Sequence, residues 1–114
     1  MDPLLVLQDG KYSVWFRTAL AEGMGVVTLA PDGSLNGRDT IMSYTGRWQT
    51  DSERFEATFL ATRHSPGPGA FGVMNELNIT VTGKAKGVTA SCKGAAEEVP
   101  GLMLEATLVR MPKD

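Results

Sequence analysis

The chain has 114 residues and a formal net charge of −2, enough for one domain around a single core and too few for two. Its 11 Lys and Arg are scattered, without a stripe of interleaved aromatics, which argues against a nucleic-acid groove and against docking on an anionic membrane. The single cysteine, Cys92, excludes an intramolecular disulfide, fits a reducing compartment, and reads as a small inward-facing hydrophobe.

Eight short segments with strand-like alternation, each closed by Gly, Pro, Asp or Asn, fill almost the whole chain. The first covers residues 11–18, with Tyr12, Val14 and Phe16 on one face and Ser13, Trp15 and Arg17 on the other. Residues 24–30 form a second strand. Pro31-Asp32-Gly33 makes a tight turn into a short third at 34–37. The fourth, residues 41–49, groups Met42, Tyr44, Gly46 and Trp48. The fifth, residues 54–61, shows the clearest period of two, with Phe55, Ala57, Phe59 and Ala61 on one side.

Residues 63–73 break the rhythm. Ser65-Pro66-Gly67-Pro68-Gly69 fits neither helix nor central strand, and a connection this long in a compact domain is functional or mobile. Phe71 at its far end is placed to fold down as a lid. Three further strands carry Leu77, Ile79 and Val81; Val88, Ala90 and Cys92; and Leu102, Leu104, Ala106 and Leu108. Residues 93–101 are expected to form the last loop, with room for a helical turn within 95–98 and a turn at Pro100-Gly101. Eight sequential strands with mostly short turns predict an all-β, eight-stranded antiparallel up-and-down barrel spanning residues 1–114, closed so that no edge is exposed.

Tests for chemistry return little. One histidine, His64, and one cysteine offer no pair at metal-ligand spacing. No Gly-x-Ser-x-Gly elbow exists to serve a triad, and His64 reads as a solvated loop residue. Gly23-Met24-Gly25 and Gly83-Lys84 read as turn or bend glycines, since neither precedes a helix. Asp51/Glu53 and Glu97/Glu98 lie in turns, where nothing would separate their pKa values. The expectation is a non-catalytic protein without cofactor or metal. The apolar run at residues 4–7 is shorter than a signal-peptide core, Asp2 has the wrong charge for the region before one, and no stretch approaches the ~20 apolar residues of a membrane span. A soluble, cytoplasmic protein is expected.

Two surfaces remain. Inside the barrel, Tyr12, Phe16, Tyr44, Trp48, Phe55 and Phe59 stand among small residues such as Gly46, Ala57 and Ala61. That mixture either opens an apolar cavity for a small ligand or fills a tapering barrel to ordinary density, and filling is the favoured reading. Outside, Trp15, Val26, Met103, Val109 and Met111 share the outward phase of the first, second and eighth strands. Closure makes those strands neighbours, so one exposed apolar patch forms a dimer or partner interface, unless a β-bulge reverses the phase.

The order of Asp9-Gly10-x-Tyr12-Ser13, Gly23-x-Gly25, Gly33, Gly37-x-Asp39 and Tyr44-x-Gly46 resembles the GrlR-type negative regulators of type III secretion, a small bacterial family. The similarity covers residues 9–49 well and the rest only in strand rhythm. It implies a lipocalin-like (calycin) barrel that dimerises in the cytoplasm and binds a transcriptional activator through an exposed acidic turn, Glu-Asp-Glu-Asp in the founding member. The equivalent turn here, Thr50-Asp51-Ser52-Glu53, has two acids in place of four, with Arg54 directly after. On this resemblance Asp51 and Glu53 are the partner-binding residues. The rival expectation is a binding module for a small apolar ligand, gated by residues 63–73.

Overall fold

A computed structural model describes residues 7–112; residues 4–6 of the amino-terminal apolar run lie outside them. Eight antiparallel strands follow one another: β1 (Gly10–Arg17), β2 (Glu22–Leu29), β3 (Ser34–Asp39), β4 (Met42–Asp51), β5 (Arg54–Arg63), β6 (Glu76–Lys86), β7 (Thr89–Ala96) and β8 (Val99–Arg110). Each pairs with its successor, and β8 pairs back on β1 from Tyr12↔Arg110 to Arg17↔Glu105, closing the barrel. The expected calycin-like, up-and-down architecture is therefore the one found.

Alternation in the sequence becomes alternation in burial. Along β5, Phe55, Ala57 and Ala61 are buried, while Arg54, Thr58 and Leu60 face out. Along β6, Leu77, Ile79, Val81 and Ala85 are buried between exposed Asn78, Thr80, Thr82 and Lys84. Closing eight strands leaves an interior that side chains just fill or that admits one small ligand.

The two ends are closed differently. At one, Leu7 is buried, and the Tyr12 hydroxyl donates to the Gln8 carbonyl at 2.6 Å. Trp48 Nε1 donates to the Ala30 carbonyl at 2.9 Å beside Phe55, whose ring centroid lies 6.5 Å away. At the other end, residues 64–75 between β5 and β6 fold across the opening.

The carboxy-terminal hairpin corrects the expected loop at residues 93–101. β7 continues to Ala96, Glu97 and Glu98 make a two-residue turn, and Pro100 and Gly101 lie inside β8. No helical turn forms at 95–98. Pairing jumps from Gly94↔Leu104 to Ala96↔Val99, so Pro100 falls in a bulge, where a missing backbone donor breaks no ladder bond. The bulge ends before the stretch of β8 that pairs with β1, and the outward phase there is preserved.

Candidate functional site

The interior keeps a cavity of about 80 Å³ below the opening spanned by residues 64–75. Its walls are apolar side chains, among them Val14, Phe16, Phe55, Phe59, Leu77 and Leu104, and small Ala57 and Ala61 provide the space. Of the aromatics expected to line a cavity, Phe16, Tyr44, Phe55 and Phe59 do so. Tyr12 and Trp48 do not: both point inward but are used up in closing the far end through their bonds to Gln8 and Ala30. A small cavity thus remains beside the packed side chains.

Two polar side chains reach this cavity, Asp39 and Tyr44. Asp39 ends β3, and its Oδ1 accepts the backbone N–H groups of Ile41 and Met42, each at 2.7 Å, which shapes the β3–β4 turn. Its Oδ2 accepts the Tyr44 hydroxyl. Burial first, and the bond to Asp39 second, push the Tyr44 phenol above its ordinary 10.0. The Tyr44 ring meets Phe59 edge-on at 5.5 Å.

The Arg63 side chain bonds the loop over the opening at several points. From the end of β5, Arg63 Nε donates to Asn75 Oδ1 at 3.1 Å, Nη1 to the carbonyls of Ser65 (3.1 Å) and Gly67, and Nη2 to the Met74 carbonyl at 2.9 Å. A segment with two prolines and three glycines in residues 65–72 has few internal donors for its carbonyls, and the guanidinium supplies them. Gly69 and Gly72 exchange backbone bonds of 2.7 and 3.0 Å, reversing the chain so that Phe71 at the tip is buried in the cavity wall. The expected lid position of Phe71 is thus occupied. The Thr18 hydroxyl bonds to the Ala70 carbonyl and ties the tip to the β1–β2 turn.

His64 is exposed, with Nδ1 3.1 Å from Ser65 Oγ and Nε2 3.0 Å from the Asp39 carbonyl oxygen. The ring is thus held between a serine hydroxyl and a backbone carbonyl oxygen, not a carboxylate side chain. Cys92 is buried and free, its thiol pushed up to about 12 by burial. Among the described residues no cluster of three or more His, Cys, Asp or Glu could hold a metal ion, and no helix is long and apolar enough to cross a membrane.

On the outer wall, Trp15 pairs with Met24 across β1–β2 and with Thr107 across β1–β8, while Ser13 pairs with Val26 and Val109. Trp15, Met24, Val26 and Val109 therefore form two adjacent rows on one face, and all four are exposed, Met24 by 67%. Met24 was missed from the sequence, although it shares the parity of Val26. Exposed Val88, in the β6–β7 turn whose carbonyl accepts the Arg110 N–H, extends the strip. Arg17 stacks over Trp15 at 5.6 Å and pairs with Glu105 at 2.9 Å. That pair stands between the strip and exposed Met103. Met111 is half-buried and follows β8, its N–H bonded to the Lys11 carbonyl at 2.8 Å. Met103 and Met111 thus flank the strip rather than join it.

Asp51 and Glu53 flank the β4–β5 turn and are exposed. Ser52 between them takes a left-handed φ of 56° at the hairpin tip.

No protein-family model matches the chain, and no curated protein matches it.

Proposed function

We propose that this protein is a non-catalytic binding protein that pairs with a second copy of itself through the wall of β1, β2 and β8 and sequesters a protein partner. The observation that carries this reading is the strip of Trp15, Met24, Val26 and Val109, a contiguous apolar face flanked by the Arg17–Glu105 ion pair. A two-fold axis over such a strip sets each apolar row against its own copy, as an isologous interface requires. In the ring of eight strands β5 lies four places from β1, so the pairing leaves the Asp51/Glu53 hairpin free. The resemblance to GrlR-type regulators supports a basic, DNA-binding transcriptional activator as the partner, with Asp51 and Glu53 steering its approach by charge.

The test is capture of basic DNA-binding proteins by the wild-type chain and by the double substitution Asp51→Lys/Glu53→Lys. Wild type is expected to retain such a protein, weakly at high salt, and the folded double variant to lose it. Equal retention by both would take the acidic turn out of the mechanism.

A second reading, a small apolar ligand inside the barrel, is favoured by the cavity beneath Phe71.

A further inference from the structure

This inference rests on the interior-ligand reading. We infer that the cavity is a binding site for a ring-sized apolar molecule carrying one hydroxyl group, that Phe71 is the built-in occupant such a ligand displaces, and that Asp39 receives the hydroxyl.

Size comes first. The cavity of about 80 Å³ is smaller than the roughly 150 Å³ that admits benzene in an apolar core. With Phe71 in place it is too small for a ring. Phe71, however, enters from the loop at residues 64–75 rather than from a strand, so it can leave without breaking the barrel ladder. Its departure vacates the space of one benzyl group next to the existing cavity. The site is therefore shaped for an aromatic or similarly compact ring with a short substituent.

Polarity narrows the class. Among the described residues, Asp39 and Tyr44 hold the only polar side chains on an otherwise apolar wall. The Asp39 carboxylate has about four lone-pair positions, and Ile41, Met42 and Tyr44 occupy three. One acceptor position on Oδ2 remains for a donor. A hydroxyl, with one donor, matches that single position, whereas an ammonium brings three donors and would leave two unmet on an apolar wall.

The gate follows from Arg63. Its guanidinium holds the carbonyls of Ser65, Gly67 and Met74, so the loop and Phe71 move together when those bonds break. Removing the guanidinium should loosen that part of the wall and make Phe71 easier to displace.

The experiment uses the full chain and two probes that differ by one hydroxyl, 4-methylphenol and toluene, followed by intermolecular NOEs to the methyl groups of Ala57 and Leu77 and by titration. Phe71→Ala is expected to bind 4-methylphenol at least tenfold more tightly than wild type, and several-fold more tightly than it binds toluene. Arg63→Gln is expected to bind 4-methylphenol more tightly than wild type, by less than Phe71→Ala does, and to exchange it faster; wild-type affinity in both folded variants would overturn Phe71 as the occupant that the ligand displaces. Phe71→Leu repeats the test if Phe71→Ala does not give a dispersed amide spectrum. Absence of NOEs from either probe in the folded variants would overturn the interior site altogether. Equal affinity for both probes, with NOEs present, would leave the interior site standing and overturn the assignment of a hydroxyl to Asp39.

Discussion

At the residue scale, burial raises three groups that lose a proton in alkali, Cys92, Tyr44 and Tyr12. The Cys92 thiol is raised from 9.0 to about 12, and the Tyr44 phenol above 10.0, in both cases chiefly by desolvation. Above the ordinary values the unfolded chain has released these protons while the folded chain retains them. Their contribution to stability is therefore complete below pH 9.0, where the Cys92 loss begins, and is lost as pH rises toward the folded values. The slope is up to about 1.4 kcal/mol per pH unit for each group. Urea midpoints should hold near neutrality and fall through this window, and Cys92→Ala should fall less steeply than wild type. Identical pH slopes for the two would show that the thiol is not held protonated. The same burial predicts that Cys92 resists thiol reagents until the barrel opens.

At the element scale, glycines such as Gly46, Gly83 and Gly94 mark where strands cross too closely for a side chain. A Cβ at Gly46 would lie 2.1 Å from the Thr58 carbonyl oxygen and 2.5 Å from Phe59 Cα; at Gly83 and Gly94 it would lie 1.9 and 2.0 Å from the backbone oxygens of Ser91 and Thr80. These are backbone atoms, so the neighbour can yield only by opening a ladder. Gly46→Ala should cost about 1–3 kcal/mol, whereas Gly101→Ala, with nothing within 4 Å, should be near neutral in the same unfolding assay. A neutral Gly46→Ala would mean the β4–β5 crossing is looser than described. The strands themselves were legible because each inward set, such as Phe55, Ala57, Phe59 and Ala61, keeps a strict period of two. Gly46 and Gly83 were not legible as crossing points, since volume removal or a bend explains a strand glycine equally well in sequence. Pro100 and Gly101 suggested a turn because the bulge that accommodates them is a property of the β7–β8 pairing. Arg63 and Asp39 were missed as site residues for a similar reason. Their roles depend on carbonyls and a phenol brought together by folding, although a lone arginine before a Pro/Gly-rich loop and an aspartate opening a turn are signals in retrospect.

At the scale of the whole molecule, closure of the barrel separates three surfaces. The lid and cavity occupy one end, the acidic hairpin the other, and the apolar strip lies on the wall of β1, β2 and β8. On the proposed reading, self-association through the strip would block neither of the other two. On the same reading, self-association depends on that strip. Sedimentation equilibrium of the wild-type chain and of Trp15→Lys/Met24→Lys tests it most directly. The wild type should sediment at twice its 12.2 kDa chain mass and the folded double variant at the chain mass. A wild-type monomer at all concentrations, or a double variant that remains dimeric, would contradict it.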